Sequence, residues 1–278
     1  MNGNRNPPLL GYTDRLSARP GDVVQVKVSS YLEGDFETDL ARIICADPNP
    51  EGAGLVEETI ACDFAGLYPS RIQPFTPGSC MRVSMPPDTA LPAEFTVAVM
   101  IWPTQIISGP QAVLSIESKR SPALFILGLD GAGRPTVKVR MSDGDWTECY
   151  LPNPANERRW SRLWASFSQP LGELSVGMSQ GEINDNATTT ITGSTLHTDQ
   201  KISSIVVAAC DQGKRRMHFN GKIEQPTIYS AKLGPDILFD NAEVTTAPVF
   251  ACWDFSKEVS STHVIDTGVN ELHGTLSN

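Results

Sequence analysis

The sequence has few of the short motifs that mark metal-dependent or nucleophilic active sites. Its four histidines, His197, His218, His263 and His273, form no HxH or HExxH pair, and its six cysteines form no CxxC pair. Protein zinc centres usually depend on such spacings. We therefore predict no metal centre built from histidine or cysteine. The sequence also gives no positive evidence of a Ser-His-Asp triad, so no catalytic residue is assigned.

The chain also lacks an excess of positive charge and a long apolar run. It has 22 Lys and Arg residues against 32 Asp and Glu residues, a formal net charge of -10. Phosphate backbones and anionic lipid head groups would be repelled by this charge, so neither nucleic acid nor a membrane is a predicted partner. The longest apolar run, near PAEFTVAVMIWP, has about half of the roughly 20 residues that a bilayer crossing needs.

Features of an exported protein are also missing from the sequence. The start, MNGNRNPPLLGY, is polar and broken by proline, whereas a signal peptide has a basic segment followed by an apolar one. The cysteines are scattered, at Cys45, Cys62, Cys80, Cys149, Cys210 and Cys252. We expect six free thiols in a cytoplasmic protein, with Cys210 buried because it closes the apolar run SSIVVAAC.

What the sequence does contain is a series of short runs rich in β-branched and aromatic residues, separated by Pro and Gly. This pattern predicts an all-β fold, and the number of antiparallel strands favours a jelly-roll sandwich. Residues 1–75 are expected to form a small N-terminal β unit. Its Val23, Val24, Val26 and Val28 follow a Pro-Gly turn, as in the opening strands of immunoglobulin-like sandwiches. Residues 76–278 are expected to form the larger sandwich.

Three segments of the larger unit carry the strand prediction. Phe95, Val97, Val99 and Ile101 alternate with other apolar residues, which indicates a central strand covered on both faces. RRWSRLWASF alternates in the same way and is predicted to be a strand. The glycines of Asp130-Gly131-Ala132-Gly133 predict a hairpin turn.

The tryptophans of the larger unit lie in or beside these strands. Trp102, Trp160, Trp164 and Trp253 are therefore expected to pack in the core, and any of them on an outer face would mark a docking surface.

Acidic residues in polar segments are the candidates for calcium or sugar binding. Asp130, Asp185 and Asp199 fall in predicted loops, and Trp146 in SDGDWTE is a ring on which a sugar could stack. Asp143 and Asp145 share a strand face, whereas Glu148 falls on the other, so the spacing favours a solvated turn over a glycosidase carboxylate pair. Loops are also rich in Asp because it stabilises turns, and that alternative stays open for every one of these residues.

A resemblance to known families rests on several ordered segments. GSCMRVSMPPDTALPAEFTVAVMIWPT, RWSRLWASF and FNGKIEQPTIYSAKL resemble strands of a laminin-G-like, concanavalin A-like domain. In that resemblance Asn220-Gly221 enters a strand and is not a two-residue turn. The series GYTDRLSARPGDVVQVKVSS, CADPNPEGAGLVEE, FNGKIEQP, WDFS and HGTL resembles the N-terminal region of the N,N-dimethylformamidase large-subunit family.

This resemblance implies a function for the whole protein that the chain alone would not perform. It implies a concanavalin A-like sandwich, closed by the C-terminal strand around Trp253, in the accessory region of an amidase. The family's catalytic portion, with a mononuclear iron held by tyrosine and glutamate, lies further along, so no cofactor and no catalytic residue is expected here. The implied partners are that catalytic domain and a small subunit, in an oligomer. The alternative is a lectin-like module that binds a glycan or calcium.

Overall fold

A computed structural model of the chain describes residues 8–73, 78–119, 123–191, 201–212, 215–239 and 247–277. The chain divides into two compact units, Met1–Thr76 and Pro77–Asn278. Within the described residues, no helix has the length and apolar character that crossing a membrane would require.

The N-terminal unit consists of paired short strands. They are β1 (Leu9–Thr13), β2 (Val26–Ser30), β3 (Asp35–Thr38), β4 (Leu40–Ala46), β5 (Leu55–Ile60) and β6 (Gly66–Pro69). They form three separate antiparallel pairs, β1 with β2, β3 with β6 and β4 with β5. β2 begins at Val26, so Val23 and Val24, which the sequence pattern grouped with Val26 and Val28, lie outside this strand. Ser30 is the only buried residue in 8–73, and the immunoglobulin-like arrangement stays a prediction.

The second unit is built almost entirely from antiparallel strands. They are β7 (Cys80–Ser84), β8 (Glu94–Pro103), β9 (Gln111–Ser118), β10 (Phe125–Leu129), β11 (Pro135–Arg140), β12 (Trp146–Tyr150), β13 (Ser161–Ser168), β14 (Glu173–Gln180), β15 (Ile183–Thr190), β16 (Ile202–Val207), β17 (Asp211–Gln212), β18 (Arg215–Arg216), β19 (Gly221–Tyr229), β20 (Val249–Asp254), β21 (His263–Asp266) and β22 (Gly274–Ser277). The described helix α1 is short, Pro235–Phe239. The predicted all-β class is confirmed.

Fourteen of these strands form one continuous sheet. Their order is β12-β11-β10-β9-β16-β7-β22-β21-β20-β19-β8-β13-β14-β15. The two ends of this order meet, because β11 and β12 contact β14 and β15. The sheet thus folds over itself into a nearly closed two-layer sandwich of the jelly-roll type. β22, late in the sequence, pairs with β7, the first strand of the unit.

The core lies between the two layers. On β8 the buried side chains of Phe95, Val97, Val99 and Ile101 face inward, as their alternation predicted. The ring of Phe95 lies 5.2 Å from the ring of Phe125 on β10, which is remote from β8 in the sheet order. This aromatic contact therefore joins the two layers.

The outer face of β8 and β13 is covered in part by α1. Trp164 is fully buried there and meets Leu238 and Phe239 of the helix. Trp164 and Trp253 are both core residues, as predicted, whereas Trp160 is 38% exposed.

The segment Asn220-Gly221 enters a strand, as the resemblance implied. Gly221 begins β19 and pairs with Pro103 of β8. A Cβ at Gly221 would lie 2.3 Å from the carbonyl oxygen of Trp102. Glycine is therefore required at this position by the close approach of the two backbones, and the Asn-Gly pair does not signal a hairpin here.

Candidate functional site

The acidic residues singled out in the sequence are not brought together. Asp130 lies in the turn between β10 and β11, and Asp143 and Asp145 lie between β11 and β12. These two turns are at opposite ends of β11. Asp185 was predicted to lie in a loop, but it lies within strand β15, paired with Met178 of β14. Asp199 lies outside the described residues.

The carboxylate of Asp130 is occupied by its own turn. It accepts hydrogen bonds from the backbone N–H groups of Ala132 and Arg134 at 2.9 and 2.8 Å, and it pairs with the Arg134 guanidinium at 2.7 Å. Burial raises the pKa of Asp130, but the bonds from Arg134 and Ala132 outweigh burial, so the pKa lies below its ordinary value. This geometry explains Asp130 as a turn residue.

The second acidic turn is arranged in a similar way. Asp143 accepts a hydrogen bond from the backbone N–H of Asp145 at 3.0 Å. Trp146 packs beneath the Arg140 guanidinium, whose central carbon lies 4.5 Å from the ring centroid. Glu148 is bound to Thr136 and Lys138. One face of the Trp146 ring is thus covered by a side chain of the same sheet.

The five tyrosines of the chain lie on or beside separate strands. Tyr12, Tyr31 and Tyr68 are exposed on the N-terminal unit. Tyr150 lies against the Arg134 guanidinium at 4.3 Å. Burial raises the pKa of Tyr229, which opposes the loss of the phenolic proton that metal binding needs. Across the described ranges, no group of three or more His, Cys, Asp or Glu residues is placed to hold a metal ion.

A match to the nucleophile-elbow pattern does occur in the sequence, at GMSQG, residues 177–181. A nucleophile elbow places its serine on a sharp turn between a strand and a helix. Ser179 instead lies inside β14, paired with Arg162 of β13 and Asn184 of β15. The geometry is that of an ordinary strand.

The C-terminal segment WDF to HGTL is a structural motif. Asp266 is 4% exposed, and its carboxylate accepts hydrogen bonds from the backbone N–H groups of Cys252, Gly268 and Leu272, each at 2.8 Å. Trp253 Nε1 donates to the Leu272 carbonyl oxygen at 2.7 Å. These bonds tie β20, β21 and the loop before β22 together.

A cavity of about 560 Å³ lies where β7, β22 and the start of β19 meet. Its polar lining includes Cys80, Ser108, His218 and Asn220. Both ring nitrogens of His218 are buried and meet no hydrogen-bond partner among the described residues. Ordered water or a small polar ligand could satisfy such nitrogens. Sequence reasoning missed this site, because a lone histidine in MHFNG carries no spacing signal.

No family model matches the chain, but a comparison with known proteins finds relatives. The chain is 28% identical over 305 residues to the N,N-dimethylformamidase beta subunit of an Alcaligenes species, and 28% identical over 302 residues to that of Paracoccus aminophilus. Each match covers 97% of this chain and 39% of the relative. The chain thus spans about two fifths of the length of these relatives. They are named beta subunits, whereas the resemblance was stated for the large subunit.

A solved structure shows the same fold. A putative carbohydrate binding protein from Bacteroides ovatus superposes with a TM-score of 0.54 at 12% identity, covering 81% of this chain and 65% of that protein. At this identity the likeness supports the fold alone. Fold and relatives together describe an all-β sandwich similar to part of N,N-dimethylformamidase beta subunits.

Proposed function

We propose that this chain is a non-catalytic structural and assembly region of a larger N,N-dimethylformamidase-like amidase, which hydrolyses the C–N bond of small amides. In this proposal a downstream catalytic domain carries the iron. A small subunit completes an oligomeric, cytoplasmic enzyme. The observation that carries the proposal is the match to two beta subunits over 97% of the chain but only 39% of each relative.

The N-terminal unit supports an assembly role because it leaves apolar side chains unburied. Leu10, Ile43 and Leu67 are 56%, 61% and 70% exposed. An apolar surface of this kind on a folded unit marks a place where another polypeptide binds. The strands of this unit also remain in separate pairs, so their edges are available for further pairing.

A groove within the same unit is the part of this surface best shaped for a polypeptide. Its volume is about 680 Å³, and Val26 and Val28 of β2 line it together with Phe36, Phe64 and Tyr68. The rings of Phe36 and Tyr68 stack at 5.9 Å. An extended apolar segment fits a groove of this composition, with main-chain bonds to a strand edge and side chains in the groove. In this proposal the occupant comes from the remainder of the longer amidase polypeptide.

Two measurements test the proposal. The purified chain should neither hydrolyse N,N-dimethylformamide nor retain stoichiometric iron. Turnover that chelation abolishes and iron restores would overturn the non-catalytic assignment. In the Paracoccus aminophilus beta subunit, deletion of the region aligned with this chain should lower the number of subunits per assembled enzyme, calculated from the light-scattering mass and the mass of the shortened subunit. An unchanged assembly would refute the assembly role.

The alternative function is a lectin-like module that binds a glycan or calcium. Calcium has less support, because Asp130 and Asp143 make hydrogen bonds inside their own turns, which lie at opposite ends of β11. Glycan binding has one specific observation in its favour, an exposed aromatic pocket around Trp160. A glycan array measured on the purified chain separates the two functions.

A further inference from the structure

A small open pocket lies at one edge of the sandwich, where β8 ends, β13 begins and β14 ends. Its volume is about 440 Å³, and it is lined by Trp102, Arg158, Arg159, Trp160, Gln180 and Gly181. None of these residues belongs to the candidate loops that the sequence indicated. The pocket combines the aromatic surface of two tryptophans with the positive charge of two arginines.

The aromatic surface consists of two tryptophans in an edge-to-face arrangement. The ring centroids of Trp102 and Trp160 are 5.7 Å apart, with an interplanar angle of 65°. Trp160 is 38% exposed, whereas Trp164 and Trp253 are fully buried. A tryptophan that keeps a ring surface open beside a pocket is suited to stacking against the apolar face of a sugar ring.

The positive charge of the pocket comes from Arg158 and Arg159, and Lys222 adds a third cation next to Trp102. Lys222, which pairs directly with Trp102 across β8 and β19, places its Nζ 5.7 Å from the Trp102 ring centroid. The guanidinium groups of Arg158 and Arg159 make no ion pair or side-chain hydrogen bond with any residue that the structure describes. In a chain with a net charge of -10, two arginines in a pocket whose lining residues include no Asp or Glu favour an anionic ligand.

The neighbouring carboxylate is directed elsewhere. Glu157 precedes Arg158 in the sequence, but its Oε1 accepts a hydrogen bond from the backbone N–H of Ile106 at 2.9 Å. The acidic group closest in sequence is therefore engaged with another loop. The two guanidinium groups remain available for a carboxylate from outside the chain.

The backbone and rim of the pocket are held in place. Arg158 has a φ of 57°, in the left-handed region that residues other than glycine seldom adopt. Its N–H donates to the Pro103 carbonyl oxygen at 2.7 Å, which holds this conformation. Gln180 donates to Ser161 and accepts from Asn156. Backbone strain that the surroundings maintain is concentrated at binding sites, so this rigidity agrees with a built pocket.

We propose that this pocket binds a sugar that carries a carboxylate. The sugar ring stacks on Trp160, and the carboxylate accepts hydrogen bonds from Arg158 and Arg159, with Lys222 adding positive charge. Neutral sugars lack the charged contact, and simple carboxylates lack the ring. The site does not depend on the amidase assignment, because it is formed within this chain.

Titration of the complete chain, followed by tryptophan fluorescence and checked by calorimetry, tests the proposal with three probes. Sodium glucuronate is expected to bind at least about tenfold more tightly than either glucose or sodium acetate, a difference of about 1.4 kcal/mol. Binding of glucuronate should weaken as salt is added. Equal affinity for glucose or for acetate would overturn the proposal, as would no measurable binding of glucuronate.

Variants locate the binding site. Trp160→Ala and Arg159→Gln should each lower the affinity for glucuronate by about tenfold or more, since each removes one of the two contacts. Arg140→Gln is the matched control, because Arg140 stacks on Trp146 in another part of the sheet. Circular dichroism verifies that each variant is folded. If Arg159→Gln is folded and binds like the unmodified chain, the site is wrong.

Discussion

Replacement of Asp266 is expected to weaken the larger unit more than the loss of a single side chain usually does. The buried carboxylate accepts three backbone hydrogen bonds, from Cys252, Gly268 and Leu272. In Asp266→Ala all three N–H groups lose their acceptor. Each buried donor left unsatisfied costs about 1–3 kcal/mol. Two of the three bonds are only part-buried, so we expect a total loss of about 3–5 kcal/mol, at the lower end of the sum of three penalties.

Asp266→Asn separates the charge from the shape of the side chain. Its carboxamide oxygen can keep the two bonds that Oδ1 makes to Cys252 and Gly268. Its NH₂ group then faces the N–H of Leu272, where two donors meet. One bond is lost and the remaining bonds no longer have an ionised acceptor, so a loss of about 1.5–3 kcal/mol is expected. The predicted order of stability is therefore unmodified chain, Asn variant, Ala variant.

Urea unfolding followed by tryptophan fluorescence measures this order. All five tryptophans lie in the larger unit, so the signal reports on that unit. Asp254→Ala is the control, because Asp254 is only half-buried and its carboxylate contacts only the nearby Ser256 and Lys257. The control should change stability much less. An Asp266→Ala variant within about 1 kcal/mol of the unmodified chain would refute this account of the motif.

Three further predictions concern packing, thiols and pH. Gly177→Ala should destabilise the larger unit by about 1–3 kcal/mol in urea unfolding, because its Cβ would lie 2.2 Å from the buried Trp164 ring. Gly131→Ala, in the same unit, has only an ordinary contact at 3.9 Å and should be close to neutral, so equal effects would contradict this account. Alkylation of the denatured chain without reductant should label six thiols, and fewer than six labels would contradict the prediction that all the thiols are free. In the folded chain Cys149 should react slowly, because burial raises the pKa of its thiol. Because the pKa of Asp130 is lowered from its ordinary value of 3.8, the ionised carboxylate stabilises the fold at pH 7, and this effect is lost as the pH falls through the folded-state pKa. The difference in unfolding free energy between the unmodified chain and Asp130→Asn should therefore shrink at low pH, and a constant difference would contradict this.

The parts of the fold that the sequence predicted well depend on local alternation. Phe95 to Ile101 on β8 and Leu163 to Phe167 on β13 alternate at period two, and both segments form central strands. The alternation is reliable there because every second side chain of each strand, from Phe95 to Ile101 and from Leu163 to Phe167, packs in the main core. The hairpin at Asp130 was also predicted correctly, because the turn chemistry is contained in four adjacent residues.

The errors arose where the structure depends on a distant partner. Asp185 lies in INDNATTT, which is too polar to indicate a strand, yet the segment pairs along its whole length with β14 as an edge strand. An edge strand with one half-buried face can carry many polar residues, because it is covered on one side only. Val23 and Val24 carry a strand-like pattern but lie outside β2. Apolar character alone does not specify what a side chain contacts.

The candidate sites show the same contrast between what adjacent residues indicate and what depends on a distant strand. Trp160 and Arg159 are adjacent in NERRWSR, but nothing in that run places Trp102 or Lys222 beside them. The pairing of β8 with β13 brings Trp102 to Trp160, and the pairing of β8 with β19 brings Lys222 to Trp102. The C-terminal motif presents the opposite case, since Trp253, Asp266 and His273 resemble a set of functional residues. Asp266 N–H donates to His273 Nδ1 at 3.1 Å, and the Trp253 Nε1 and the Asp266 carboxylate bond to the backbone. Because the Asp266 carboxylate and the Trp253 Nε1 are already bonded internally, their spacing is explained by the closure of β20, β21 and β22. The guanidinium groups of Arg158 and Arg159 are exposed beside Trp160 and are free to meet the proposed ligand.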